Sequence, residues 1–232
     1  AASDVYKRQL IERLKDRAMV KDSIVNCDET WCKVKMNRHF LKKYVWCLVN
    51  KEQKIAIYCY EDGSRGRKVL KGILKDRQVK ALQSDGYNVD MYIDKELVDT
   101  EHLCCLAHAR AKFVLPPTHS PRGELMDKAV NYLQVFWKQL FAYLNDGRYD
   151  IDNSIAERFI RPLAGERKNS LFFVGSRMAN VSAAYHTLLS TCRMNGLSAL
   201  EYLKKFFHEI VKGRKDYENL LPMTIGINTN KY

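Results

Sequence analysis

Three apolar runs near the start of the chain constrain its fold more than any other feature. Ser23–Cys27 (SIVNC), Tyr44–Val49 (YVWCLV) and Lys54–Tyr60 (KIAIYCY) are strand-sized, and the last is rich in β-branched and aromatic residues. Asn50-Lys51 falls between the second and third runs, which predicts a hairpin and an antiparallel order for all three. The pattern then alternates. A helix is expected at 66–75, with Val69, Leu70, Ile73 and Leu74 on one face, then a strand at Val79–Ser84 ending in Asp85-Gly86. A second helix is expected around 89–97 and a fifth strand at 102–106. Three antiparallel strands followed by helix, strand, helix and strand define a mixed five-stranded α/β sheet.

The second half reads as helical. Apolar residues recur at helical spacing through 123–145, a stripe best read as core. A short helix runs from about 154 to 160, where Pro162 discourages continuation. Further helices are expected at 179–195, stopped by Gly196, and at 198–212, opened by the capping box Ser198-x-x-Glu201 and stopped by Gly213. The tail after Pro222 reads as loosely ordered. Residues 1–20 form a short amphipathic arm (Leu10, Ile11, Leu14, Ala18) of doubtful origin. The expected division is this arm, a catalytic domain at 21–175 with a helical insertion at about 114–148, and C-terminal helices with a tail at 176–232.

Composition narrows the class. An apolar fraction of 46% excludes a disordered chain, and every apolar run is far shorter than a bilayer crossing needs. The start is charged, without a secretory pattern, and the seven cysteines are odd in number and set mostly in apolar runs. They read as reduced thiols, and the expected location is cytoplasmic with no membrane partner. Lys+Arg 39 against Asp+Glu 27 gives a net charge of +12, which favours a polyanionic partner. Two basic clusters, Lys33–Lys43 and Arg65–Lys80, read mostly as solvated faces. A third, Arg158–Arg177, flanks an acid and includes Asn169, Phe172 and Phe173.

Three acids sit where such a fold concentrates chemistry. Asp28 closes the first strand, Asp85 closes the fourth, and Glu157 lies on the short helix. Taken singly, each has a plainer reading, as a turn cap or a first-turn helix acid. Together they suit two Mg²⁺ or Mn²⁺ ions, with Asp28 bridging, and predict phosphoryl transfer. Arg158, Arg161, Arg167, Lys168 and Asn169 are placed to hold phosphates nearby. Cys105-x-x-His108, with His102 and Cys104 close by, supplies only one half of a four-ligand zinc site.

The strand order resembles the ribonuclease H-like fold. The motifs CDET (27–30), LQSDGY (82–87), CLAHARAKF (105–113), IDNSIAERFIRPL (151–163), RKNSLFF (167–173) and TCRMNGLSALEYL (191–203) resemble transposases of the insertion-sequence-66 family, in that family's order. The resemblance implies that Asp28, Asp85 and Glu157 are a DDE triad holding two Mg²⁺ or Mn²⁺ ions. It implies that Cys105, His108 and Arg110 support the site. The implied activity is cleavage at transposon ends followed by attack of the freed 3′-OH on target DNA, by a bacterial, nucleoid-associated protein assembled as a homo-oligomer on DNA. The stretch 114–122 is shorter than the family's helical insertion, so a truncated catalytic core is expected. Two alternatives stay open: a metal-dependent nuclease without strand transfer, and an inactive DNA-binding remnant.

Overall fold

The structure, a computed structural model, describes residues 2–61, 63–75, 77–86, 99–114 and 122–227. The helix expected around 89–97 and most of the shortened 114–122 stretch lie outside them. Helix α1 (Ala2–Ala18) leads into β1 (Ile24–Met36), β2 (His39–Asn50) and β3 (Ile55–Cys59). Then come α2 (Arg67–Leu74), β4 (Ala81–Ser84), β5 (Glu101–Cys104) and α3 (Leu106–Phe113). The remainder is helical: α4 (Arg122–Phe141), α5 (Ser154–Ser170), α6 (Ser176–Met194) and α7 (Ala199–Val211). The strands form one sheet of order β3-β2-β1-β4-β5, with β1–β3 antiparallel and β4 and β5 parallel to β1. This mixed sheet, flanked by helices, is the ribonuclease H-like arrangement that the strand signals predict.

The two faces of the sheet bury different helices. Val25, Cys27, Trp46, Leu48, Ile55, Ile57 and Leu82 face α1, α2 and α7. Cys32, Val34, Val45, Cys47, Val49, Ala56 and Tyr58 face Ala156, Ile160 and Leu163 of α5 and Ala179 and Ala183 of α6. Such alternation is what a sheet covered on both sides requires. The outer edge of β3 is closed by side chains of α6: Thr187 Oγ1 accepts from Tyr58 N at 2.8 Å, while Thr191 Oγ1 donates to Ala56 O at 3.2 Å. These bonds satisfy backbone groups that an open edge strand would leave free.

Several elements differ from expectation. The first strand does not stop at Cys27. It continues to Met36 and pairs with β2 from Asn26↔Val49 out to Met36↔His39, so the Lys33–Lys43 cluster forms a long β-hairpin. Buried Cys32 and Val34 alternate with exposed Lys33 and Lys35 along it. Helix α5 passes Pro162 and continues to Ser170. Proline in a helix interior costs about 3 kcal/mol, but buried Ile160 and Leu163 anchor both sides of it to the sheet. The long helix at 123–145 breaks at Phe136 (φ −105°, ψ 16°) and ends in a 3₁₀ turn, Ala142–Asn145. Leu10, Leu14 and Ala18 of the N-terminal helix lie in the main core. So do Leu220, Leu221 and Ile225, which makes the chain around Pro222 a packed segment rather than a loose tail.

Candidate active site

The register of the parallel strands aligns the candidate residues. Asn26 pairs with Gln83, and Gln83 with Leu103. Two residues further on, Asp28, Asp85 and Cys105 therefore form a row along one end of the sheet, on strands about 4.8 Å apart. Asp28 lies within β1, opposite Cys47 of β2 and beyond the last residue of β1 that pairs with β4, so it does not close the strand as its place after an apolar run suggests. Asp85 is held through its backbone: Tyr132 Oη of α4 donates to its carbonyl at 3.0 Å. The next residue must be glycine. Gly86 has φ +75°, and a Cβ there would lie 2.3 Å from Tyr132 Oη.

Behind this row is a buried polar network. Asn26 Nδ2 donates to Gln83 Oε1 at 2.8 Å and to Asn153 Oδ1 at 3.1 Å. Asn153 Nδ2 donates to Cys27 O at 2.8 Å, and Asn153 N to Cys105 Sγ at 3.2 Å. Gln83 Nε2 donates in turn to Asp150 O at 2.8 Å. Asn153, fully buried, thus fastens the start of α5 to β1 and to the start of α3. Asp152 completes the helix start by accepting from Ser154 N at 2.9 Å. Glu157, one turn after Asn153, is thereby carried to the acidic row.

Electrostatics register that convergence. Burial, with the charges of Asp85 and Glu157 adding to it and the Glu29 N–H and His108 imidazole opposing, pushes the Asp28 carboxyl up to about 6. Glu29, on the opposite face of β1, is pushed up to about 7 by burial, with Asp85 and Asp28 adding to the rise and Arg65 opposing it. Its side chain is only 7% exposed and is paired with Arg65. Sequence reasoning missed Glu29, Asn26, Gln83 and Asn153. The available signal was their polarity inside short apolar runs, because buried polar groups need partners.

The supporting residues divide. His108 Nδ1 lies 3.6 Å from Glu157 Oε1, and Cys105, His108 and Glu157 form one group. The Cys105 sulfur beside it pushes the His108 imidazole up to about 9 despite burial, with Asp85 and Glu157 contributing. Burial opposes ionisation of the Cys105 thiol, but His108 and the Asn153 N–H outweigh it and hold the thiol below its ordinary value. Arg110 lies on the exposed side of α3.

The basic residues of α5 are mostly exposed, and one of them pairs with Glu157. Arg158, Arg161, Lys168 and Asn169 are exposed, and Arg161 Nη2 is 3.5 Å from Glu157 Oε2. Arg167 turns back onto the hairpin, its guanidinium 4.3 Å from the Trp31 ring centroid and Nη1 donating to Trp31 O at 3.1 Å. The chain after α5 then runs along β1, with Phe173 N donating to Lys33 O and Lys35 N to Phe173 O, each at 2.8 Å. Phe172 meets Phe40 edge-on at 4.7 Å. Trp31, Lys33 and Lys35 of β1 and Phe40 and Lys42 of β2 therefore share one exposed face of the hairpin, with Phe172 packed against Phe40.

The sheet and its covering helices place the chain in the ribonuclease H-like fold class, which by itself assigns no chemistry. The chain belongs to the transposase IS66 family, whose pattern it matches over residues 5–116 and 115–180. It is 38% identical over 97 residues to the uncharacterized protein y4qI of Sinorhizobium fredii (strain NBRC 101917 / NGR234), covering 41% of this chain and 18% of that protein. It is 32% identical over 98 residues to the uncharacterized protein y4jD of the same organism, covering 41% of this chain and 19% of that protein. The matches thus span less than a fifth of the length of either relative. Among the described residues, no helix is long and apolar enough to cross a membrane.

Proposed function

We propose that the chain is the catalytic core of a DDE transposase, with Asp28, Asp85 and Glu157 acting together on DNA phosphodiesters. The observation that carries this reading is the shared electrostatics of the three acids across β1, β4 and α5: Asp28, half-buried, is raised by both of the others. Acids so placed repel one another, and hard divalent cations relieve the repulsion. Mg²⁺ or Mn²⁺ fits this donor set of carboxylate oxygens and would be held by Asp28, Asp85 and Glu157. When bound, the ions supply an activated oxygen nucleophile and charge stabilisation of the leaving oxygen.

The chain's own residues do the rest. Asn153 fixes the start of the helix that bears Glu157, and Tyr132 with Gly86 fixes the turn that bears Asp85. Arg158 and Arg161 lie on the same helix as Glu157 and are exposed, where they can neutralise phosphates next to the reacting bond. On the face of the sheet opposite α5, Trp31, Phe40, Lys33, Lys35 and Lys42 of the hairpin offer a second positive surface with rings able to stack on bases. Contacts of this type position DNA without reading its sequence. Transposon ends and target DNA are the proposed substrates, and a homo-oligomer on paired ends the proposed assembly.

Incubation with supercoiled plasmid and Mg²⁺ or Mn²⁺ tests the reading, with Asp85→Asn and Glu157→Gln as controls, alongside joining of a labelled oligonucleotide bearing a 3′-OH. Cleavage and joining in the wild type alone support a transposase core. Cleavage without joining supports the nuclease alternative, and DNA binding without either supports the remnant.

A further inference from the structure

We propose that Cys105, His108 and Glu157 form a binding site for one zinc-class divalent cation, and that such an ion inhibits the protein by taking Glu157 from the carboxylate cluster. Their three ligand atoms, Sγ, an imidazole nitrogen and a carboxylate oxygen, all lie within 4.8 Å of one another. Tetrahedral zinc, with bonds of about 2.0 Å to nitrogen and oxygen and about 2.3 Å to sulfur, sets its ligand atoms roughly 3.5 Å apart. His108 Nδ1 and Glu157 Oε1 already have that spacing, at 3.6 Å. The sulfur, within 4.8 Å of both, needs to close by at most about 1.3 Å.

Two observations point to a ligand rather than to a self-satisfied cluster. His108 Nδ1 is a buried polar atom with no hydrogen bond of ordinary geometry, yet it stands 3.6 Å from Glu157 Oε1 and beside the Cys105 sulfur. Cys105 Sγ is fixed from behind by Asn153 N at 3.2 Å, an outer hydrogen bond of the kind that orients metal ligands. The site begins at the first turn of α3, where i and i+3 residues share a face, so the Cys-x-x-His spacing aims both donors the same way. Glu157 enters from α5. His108 and Glu157 side chains are 38% and 28% exposed, which leaves a path for an ion and room for water as a fourth ligand.

The donor set discriminates between metals. A thiolate and an imidazole favour Zn²⁺ or Co²⁺ and disfavour Mg²⁺, whereas Asp28 and Asp85 offer oxygen alone. Two neighbouring sites of opposite preference therefore share one ligand, Glu157. Zn²⁺ at the Cys105 site leaves the acidic row one carboxylate short, and occupancy of the two sites is mutually antagonistic. The inhibitory consequence rests on the proposed role of Glu157; the site itself does not.

Titration of the intact 232-residue chain with Co²⁺, without DNA, tests the site. The expected result is one Co²⁺ per chain, with the near-ultraviolet sulfur-to-cobalt charge-transfer band and the visible bands of tetrahedral cobalt, all bleached by one equivalent of Zn²⁺. Cys105→Ser should remove the charge-transfer band. His108→Gln, at a half-exposed position, removes a direct ligand and should weaken binding by more than the roughly 10- to 100-fold that loss of an outer hydrogen-bond partner costs, and Asp28→Asn should leave the spectrum intact. A band that survives Cys105→Ser and His108→Gln, or no band at one equivalent, overturns the proposal. Zn²⁺ inhibition of Mg²⁺-dependent cleavage is the separate test of the consequence. A cobalt spectrum from a chain that never cleaves DNA would leave the site standing and remove the transposase reading.

Discussion

Asn153 shows how one buried amide can govern a site that it does not enter. Its side chain joins Asn26 and Cys27 on β1, and its N–H meets the Cys105 sulfur, so three elements meet at one residue. Asn153→Ala leaves Cys27 O without this donor and removes one acceptor from Asn26. A loss of about 2 kcal/mol is expected, read as a lower urea midpoint at unchanged m-value. A loss below about 0.5 kcal/mol would mean that the network is not structural. The acids themselves were legible in the sequence, because Asp28 and Asp85 each follow an apolar run. The amides were not. Asn26 and Gln83 resemble ordinary polar residues at strand ends until the register places them side by side.

At the scale of elements, the signals most easily misread were those where two rules compete. The Lys33–Lys43 segment looks like a solvated charge cluster, yet the period-two sequence Cys32-Lys33-Val34-Lys35 marks a strand with one buried face. Pro162 argues locally against a helix, but burial on both sides of it decides the outcome. By contrast, the caps of α7 were readable, since Ser198 Oγ accepts from Glu201 N and Gly213 has φ +84°. The covered edge of β3 was hidden from sequence, because Thr187 and Thr191 lie more than 120 residues beyond the strand they bond, at separations of 129 and 135. Thr187→Val keeps the shape but removes the acceptor for Tyr58 N. It should cost about 1–3 kcal/mol and increase aggregation through the freed edge, measurable by calorimetry and light scattering; unchanged values for both would argue against edge protection.

Across the whole molecule, the N-terminal helix is fastened to the sheet domain by charge as well as by apolar contact. Glu12 accepts from Lys15 at 3.1 Å and from Arg77 at 3.0 Å, and Arg77 also reaches Asp16 at 2.8 Å. Burial acts to raise the Glu12 carboxyl, but Lys15, Arg77 and Lys75 outweigh it and lower it from 4.5 to about 2. A carboxyl lower in the folded state contributes stability that is present above its unfolded value and is lost as pH falls from about 4.5 towards 2. Glu12 is substantially exposed, so solvent screening reduces this to about 1 kcal/mol or less. Glu12→Gln should lower the melting temperature at pH 7 by a few degrees, a difference that shrinks as the pH falls from about 4.5 to about 2. A difference that persists undiminished at pH 2 would show that the loss is packing rather than charge. The sequence revealed the amphipathic face of this helix, but not that Arg77, 65 residues beyond Glu12, closes the network.

The central claim is that residues from β1, β4 and α5 form one cation site. Mn²⁺ titration, followed by loss of the free-ion paramagnetic resonance signal, tests it most directly in the wild type and in Asp28→Asn, Asp85→Asn and Glu157→Gln. Mn²⁺ should bind the wild type, and each single substitution should weaken that binding at least tenfold with circular dichroism unchanged. Binding that survives any one of the three, or a wild type that does not bind Mn²⁺, would contradict the claim.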